Sequence, residues 1–399
     1  MPRTILDIHI LQTVPPSNLN RDDTGTPKSA IFGGVRRARV SSQAWKRATR
    51  KAFDDLLPAD ALGVRTKKVT QALAQRITDK DPSLKEPAVQ LAAAVLEAAT
   101  GSKIEPPKRK PKNGEDASAA PEAPYLMFLS RTQLDALAAF VVAGSGPDGD
   151  VKVLKEHLKV KENKAQAKLA VDTRHSVDIA LFGRMVADSA DLNVEAAVQV
   201  AHAIGVHKSE IESDYYTAVD DLSPDDESGA GMIGTVDFNS ATLYRYAAVD
   251  VDELQRNLGA GLKEEESPSA PVEKAVSAFL EAFITSLPTG KINTFGNHTL
   301  PAAVIVKLRD RRPVSFVGAF EEPVPQGVGG GYLRESCARL AEYVPDLERQ
   351  YGIDSDEHSW VFRIGQDTQT LAPLGAGVTL DVLLRDVTAA VARRVGSGA

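Results

Sequence analysis

A single cysteine, Cys337, in 399 residues leaves the chain with no internal disulfide framework, which fits a reducing compartment. No apolar run approaches the ~20 residues that a membrane span needs. The start lacks the positive-then-apolar pattern of a signal peptide. Leu6, Ile8 and Ile10 instead alternate with Asp7 and His9, which is a strand pattern. A cytoplasmic protein is expected. The histidines are scattered, and His202 and His207 sit five apart, the wrong interval for two ligands on one helical face. A zinc site is therefore not indicated. Gly327-Val328-Gly329-Gly330-Gly331 precedes a helix, but no Gly-Lys-Ser/Thr follows, so it reads as a flexible turn. No Ser/His/Asp or Cys/His arrangement stands out, and no internal repeat is visible.

One further absence is local. From Lys28 to Lys51 there is no acidic residue, while eight basic ones are present: Lys28, Arg36, Arg37, Arg39, Lys46, Arg47, Arg50 and Lys51. The chain carries a formal −7 overall, so with +8 confined to this stretch the remainder carries −15. A net negative charge argues against loose binding to bulk nucleic acid, but phosphate binding depends on the local patch. The asymmetry favours a confined groove for a polyanion.

The length allows one large core or two ordinary ones. A strand at about Ile5 to Gln12 leads into a turn-rich loop, Pro15 to Asp23, and a short strand, Val35 to Val40. Ser41-Ser42-Gln43 then starts a helix that Pro58 ends. Residues 59–175 are alanine- and lysine-rich and mostly helical, with Lys152 to Lys168 expected as a solvated helix. Within them, Glu105 to Pro124 is too rich in proline, lysine and small polar residues to pack, and is expected as a mobile loop. Val177 to Met185 reads as a strand and Val194 to Ile204 as a small-residue helix. Ile211 to Asp221 and Met232 to Val251 form a long hairpin around a turn at Ser223 to Gly231. An amphipathic helix (Pro271 to Leu287), a buried-type strand (Ala302 to Leu308) and helices near 332–350 and 379–395 complete the chain. The expected class is α+β: an antiparallel sheet backed by helices, with a helical insertion and a hairpin arm.

On a helical wheel, Trp45, Ala48, Thr49, Ala52, Phe53 and Leu56 share one stripe, and Lys46, Arg47, Arg50 and Lys51 fall opposite. Four cations alone are more often a solvated face. Two details favour function. Cations near a helix start oppose the helix dipole, and no carboxylate lies at i±4 to neutralise them before Asp54. The free N–H groups at the helix start beside Ser41 and Ser42 make a seat for phosphate, with RNA and DNA both open. Asp22-Asp23 is a possible divalent-metal pair, though such pairs more often cap a turn. Tyr215, Tyr216, Met232 and Ile233 flank the hairpin tip, where stacking on bases and packing within the hairpin are equally open.

The stretch Leu19 to Arg50 (LNRDDTGTPKSAIFGGVRRARVSSQAWKRATR) resembles the CasC backbone subunits of type I-E CRISPR surveillance complexes (Cascade), in the Cas-seven family. The resemblance resumes at VDIALFGRM (177–185), EAAVQVAHAIGVH (195–207), DYYTAVDDL (214–222), Gly234-Thr235 and LYRYA (243–247). It implies an RRM-like (ferredoxin-like) palm with helical fingers and a β-hairpin thumb. The palm would take residues 1–58, 176–204 and 241–399, the fingers 59–175 and the thumb 205–240. It also implies a non-enzymatic subunit that polymerises along a CRISPR RNA guide and kinks it at regular intervals. The guide would pair with a target DNA strand. Partners would be further copies of the chain, the large, small, guide-end-capping and guide-processing subunits, and a recruited helicase-nuclease. No cofactor is implied. Lys28, Ser41, Gln43, Lys46 and Arg50 would contact the guide backbone. Met185 and Ile233 would pinch the kinked guide, Tyr215 and Tyr216 would form the thumb's aromatic pair, and Lys291 to Thr294 would add a further contact loop. Two other readings stand beside this one: a metal-dependent RNase using Asp22 and Asp23, and a general RNA-binding protein.

Overall fold

The computed structural model describes residues 3–107, 120–186, 189–218, 232–259, 262, 269–353 and 358–397. In chain order the strands begin with β1 (Ile5–Ser17), β2 (Ser29–Phe32), β3 (Val35–Val40), β4 (Gly63–Thr66), β5 (Met127–Ser130) and β6 (Val198–Val200). They continue with β7 (Ala203–Gly205), β8 (Glu212–Ala218), β9 (Met232–Asp250), β10 (Ala303–Arg309), β11 (Ser359–Arg363) and β12 (Ala376–Gly377). The helices begin with α1 (Ser42–Leu56), α2 (Val69–Lys80), α3 (Ala88–Thr100), α4 (Arg131–Gly144), α5 (Val151–Lys159) and α6 (Lys161–Asp172). They continue with α7 (Val177–Phe182), α8 (Val251–Gly259), α9 (Ser269–Thr285), α10 (Ile292–Phe295), α11 (Leu333–Tyr351) and α12 (Leu380–Ser397). The class is α+β, built on a mostly antiparallel sheet. Among the described residues no helix is long and apolar enough to cross a membrane.

The chain divides into two compact units. The first joins Met1–Phe53, Val198–Val251 and Val276–Ala399; the second joins Asp54–Ala197 and Asp252–Ala275. The first unit holds a sheet in the order β12-β11-β10-β1-β9-β7-β3-β2, with β6 and β8 also paired to β9. Among the described strands only the β11–β12 pair is parallel. Its centre is β1, flanked by β10 and β9. The alternation of Leu6, Ile8 and Ile10 with Asp7 and His9 assigns residues to opposite faces, but both faces are covered and all five side chains are buried. The polar ones are held by specific bonds. Asp7 accepts from Arg309 Nε at 2.6 Å and from Tyr246 Oη at 2.8 Å, and Glu348 of α11 takes both Arg309 and Lys307. His9 stacks on Phe316 at 3.9 Å. The strand also runs through Pro15-Pro16 to Ser17, because the residues beyond Leu11 still pair with β9, with a register shift between Val14 and Ser17.

On β9, Arg245 is completely buried, with no carboxylate partner among the described residues. Its guanidinium lies 3.7 Å above the Trp45 ring of α1 and 4.7 Å from Phe283 of α9. It donates to Gln12 Oε1 and to the Phe283 carbonyl. Burial pulls its pKa down to about 9. This cation–π stack, worth up to about 2 kcal/mol when desolvated, fixes the apolar stripe of α1 against the sheet and turns the basic face of the helix outward.

The second unit packs α2 to α6 around Leu73, Ile77, Leu91, Val95, Leu137 and Val141, with β4 and β5 paired beside them. The lysine-rich stretch is two helices, α5 and α6, which bury Leu154, Leu158, Ala167 and Val171 and leave the lysines outside. Residues 108–119 of the basic insertion, and the turn expected at Ser223 to Gly231, lie outside the described residues.

Two elements differ from expectation. Val177–Phe182 is a helix, not a strand. Val177, Ile179, Ala180 and Leu181 are all buried, so no face alternates and a short apolar run carries no period to read. The Asp178 carboxylate sits at its start, accepting from Ser176 Oγ at 2.6 Å and from Gly63 N at 2.9 Å. The stretch expected as a helix at Val194 to Ile204 instead supplies the short strands β6 and β7. Both add to β9, and pairing with a long strand overrides the helix propensity of the alanines.

Candidate nucleic-acid interface

The Lys28–Lys51 segment folds as one piece of the first unit. The β2–β3 hairpin turns at Gly33 (φ +58), where a Cβ would lie 1.6 Å from the Glu321 carbonyl oxygen, so no other residue fits. The loop before it is braced by asparagines. Asn18 donates to the Gly25 and Asp237 carbonyls at 2.9 and 2.8 Å, and Asn20 Oδ1 accepts from Ser41 N at 2.9 Å. Ser41 is the N-cap of α1: its hydroxyl oxygen accepts from Ala44 N at 3.3 Å, so its role is partly structural. Behind the cap, the N–H groups of Ser42 and Gln43 have no described partner, and the Gln43 side chain is exposed.

Not all eight cations belong to the surface. Arg37 is completely buried and donates to four carbonyls, those of Gly205, Val206, Phe320 and Glu321, at 2.8–3.1 Å. It is a staple between strand and loop and reaches no ligand. Arg36, Arg47 and Lys51 are exposed, and Lys28, Arg39, Lys46 and Arg50 are half-buried. Lys46 is the most informative. No acidic partner lies within reach among the described residues, and burial alone draws its pKa below the usual lysine value. A desolvated, unpaired ammonium costs free energy that an incoming anion recovers.

Lys28 and Arg39 line a shallow cleft of about 300 Å³ with Asn20 and Asn239. Arg39 donates through Nη1 to His202 Nδ1 at 2.9 Å and through Nε to the Ser29 carbonyl at 3.2 Å. Burial, then the charges of Arg39 and Lys28, hold the His202 imidazole below its usual pKa. Sequence reasoning missed His202, because it reaches Arg39 only through the pairing of β3 with β7, across 163 positions. His207, by contrast, is structural: its ring bonds the Lys208 carbonyl and the Thr242 N–H and stacks on Tyr332 at 3.6 Å.

Asp22 is exposed and caps its own turn through one carboxylate oxygen. Its Oδ1 accepts from Thr24 N, Thr24 Oγ1 and Thr26 N at 2.7–3.0 Å, and the Thr24 hydroxyl leads in lowering its pKa. Asp23 is exposed. Among the described residues no cluster of three or more His, Cys, Asp or Glu is placed to hold a metal ion.

The hairpin of β8 and β9 separates the two tyrosines. Tyr215 pairs with Thr235 and Tyr216 with Gly234, so they point to opposite faces. Tyr216 lies over Gly234, where a Cβ would meet its ring at 2.4 Å. Its ring thus covers the hairpin backbone while remaining 40% exposed. Tyr215 is exposed and shares its face with Ile233, diagonally across the ladder. The base of that face is tied to the Asp22 turn, since Asp237 accepts from Ser213 Oγ at 2.7 Å and Thr26 Oγ1 at 2.8 Å. Of the DYYTAVDDL motif, Val219 to Leu222 fall outside the described residues.

Lys291 begins α10 with φ +52, a left-handed conformation costing a non-glycine residue about 1–2 kcal/mol. Thr294 is exposed on the same turn. Gly290 lets this loop approach the Leu19 carbonyl, which a Cβ would meet at 2.3 Å, and Phe295 packs on Phe238 of β9 at 5.7 Å. Met185 belongs to the second unit. It is 83% exposed at the mouth of a cleft of about 300 Å³ formed with Leu126, Phe128 and Arg184.

A family model described as CT1975-like protein matches residues 6–385. The chain belongs to this CT1975-like family of Cas proteins. Two solved structures agree with the assignment. A chain described as "CRISPR RNA-guided surveillance complex, pre-nicking" superposes with a TM-score of 0.78 at 31% identity, covering 96% of this chain and 100% of that one. Another, described as "CRISPR RNA-guided surveillance complex", gives 0.68 at 29% identity over 96% of this chain and 99% of that one. No curated protein matches. The CT1975-like chain and these structures thus share one fold over nearly their whole lengths.

Proposed function

We propose that the chain is the guide-RNA-binding backbone subunit of a type I-E, RNA-guided DNA surveillance complex in antiviral defence, and that it has no catalytic activity of its own. The observation that carries this reading is Lys46: a half-buried, unpaired cation beside open helix N–H groups, on a helix whose opposite face Arg245 locks to the sheet. Membership of a Cas family, and likeness to chains of structures described as CRISPR RNA-guided surveillance complexes, supply the biological setting.

In this reading the sheet unit is the RRM-like palm, the insertion 59–175 the fingers and the hairpin 205–240 the thumb. Lys28, Ser41, Gln43, Lys46 and Arg50 follow the guide backbone. Tyr215 and Ile233, on one hairpin face, meet the guide where it is kinked, and Met185, Lys291 and Thr294 add contacts. Copies of the chain stack along one guide, with the other subunits of the complex at its ends and sides. The protein reads backbone shape and base pairing reads sequence, as in other RNA-guided effectors. Destruction of DNA falls to a recruited helicase-nuclease.

The test is charge reversal. Lys46→Glu with Arg50→Glu abolishes guide retention in the purified complex while circular dichroism stays that of the parent; retained guide refutes the groove. Engagement of the Asp22 carboxylate in its own turn supports a turn-capping role over a metal-dependent RNase. Cleavage of a complementary RNA with Mg²⁺, abolished by Asp22→Ala or Asp23→Ala, would overturn the non-enzymatic reading.

A further inference from the structure

Beside the α1 groove, the first unit holds a second convergence of donors with no acidic partner among the described residues. We propose that Arg39 and His202 join Lys28 in seating one phosphodiester of the RNA strand, at the mouth of the cleft lined by Asn20 and Asn239. The proposal rests on the RNA-binding reading above and extends its Lys28 contact to Arg39 of β3 and His202 beside β7.

The chemistry follows from the hydrogen bonds. A guanidinium only donates, so His202 Nδ1 must accept the bond from Arg39 at 2.9 Å. The imidazole is then neutral and carries its proton on Nε2, which leaves that N–H as a donor on an exposed side chain. Arg39 spends two of its five N–H groups, on His202 and the Ser29 carbonyl. Its remaining donors and the Lys28 ammonium have no acidic partner among the described residues. Lys28 lies close enough that its charge acts on His202, and Lys28 and Arg39 line one cleft. Two fixed positive charges with one neutral N–H donor suit a single phosphate. The alternative is an idle surface contact between β3 and the residue before β7. An exposed Arg–His contact contributes little to stability, and an acidic residue opposite Arg39 would hold the strands better. Histidine there leaves the arginine's charge unspent.

The test uses the full-length chain and a labelled oligouridine strand, titrated at several salt concentrations with thermal melting in parallel. His202→Glu gives Arg39 an internal partner. It is expected to weaken binding at least tenfold, with a melting temperature equal to or above the parent's. The log–log salt slope should be shallower by about 0.7, the increment for a single phosphate. His202→Gln keeps an acceptor for Arg39 and an outward donor, and stays within about twofold. Arg39→Gln weakens binding, and its effect combines less than additively with His202→Glu because both empty one seat. If the parent binds the strand and His202→Glu matches it in affinity and slope, the seat is wrong and the RNA-binding reading stands. Fully additive losses also refute the seat. If the parent binds no RNA, the reading and the seat fall together.

Discussion

Replacing Lys46 by methionine should weaken RNA binding without destabilising the protein. The stem of Lys46 is half-buried, and its ammonium has no described counter-ion. Burial sets its folded-state pKa below that of the unfolded chain. A lysine shifted in that direction binds its proton more tightly when unfolded. Its charge therefore costs stability at any pH where both states are protonated, including neutral pH. Methionine keeps the stem and removes the charge, so the melting temperature should hold or rise slightly. Binding should move the other way. A unit charge about 4 Å from a phosphate gains roughly 4 kcal/mol at an effective dielectric of 20 and about 1 kcal/mol in bulk water. A half-buried site lies between these limits, and ordering the lysine stem takes back up to about 2 kcal/mol. A net loss of about 1–2 kcal/mol corresponds to roughly 5- to 30-fold weaker binding per subunit. The salt slope should shrink by about 0.7. Fluorescence anisotropy with a single-stranded RNA at several salt concentrations, beside differential scanning fluorimetry, reads all three quantities. Unchanged affinity and slope, or a drop in melting temperature that accounts for the weaker binding, would refute the reasoning.

Other substitutions separate structure from recognition within the same segments. Arg37→Met should cost on the order of 3–5 kcal/mol of stability by stranding three buried carbonyls and a part-buried fourth, seen as a lower urea midpoint; a near-neutral result would show that the staple is dispensable. Tyr215→Ala should weaken RNA binding by about 1–3 kcal/mol if its exposed ring stacks on a base. Tyr216→Ala should instead raise amide exchange at Thr217 and Ile233 by uncovering Gly234. Burial, with Arg184 adding to it, pulls His175 down to about 4. An unfolded histidine takes its proton near 6.5, so the contribution is intact above that pH, declines as pH falls through it, and levels off below about 4. His175→Gln should flatten this part of the stability–pH curve, and an unaltered curve would exclude His175 as its source.

Where the chain has one wet face, its periodicity could be read. The stripe of Trp45, Thr49 and Phe53 is buried as the helical wheel requires, and the hairpin register follows from alternation. Where both faces are covered the signal vanished, as at residues 177–181, whose apolar residues are all inside. Counting charge found the basic segment but could not tell Arg37, sealed under four carbonyls, from Lys46, half-exposed and unpaired. That difference depends on the 205–206 and 320–321 backbones, remote in sequence. His202 was invisible for the same reason, since only the β3–β7 pairing brings it to Arg39. The Asp22-Asp23 pair is open to two readings as a sequence, and the bond from the Thr24 hydroxyl to Asp22 Oδ1 could not be read from it.

The most direct test of a guide-binding role is the RNA that the protein carries. The chain is expressed with its neighbouring gene products, purified as a complex at moderate salt, and the bound RNA extracted and sequenced. Discrete, repeat-flanked guides of uniform length are the predicted result, lost when Lys46 and Arg50 are reversed to glutamate. Heterogeneous cellular RNA, or none, would contradict the account.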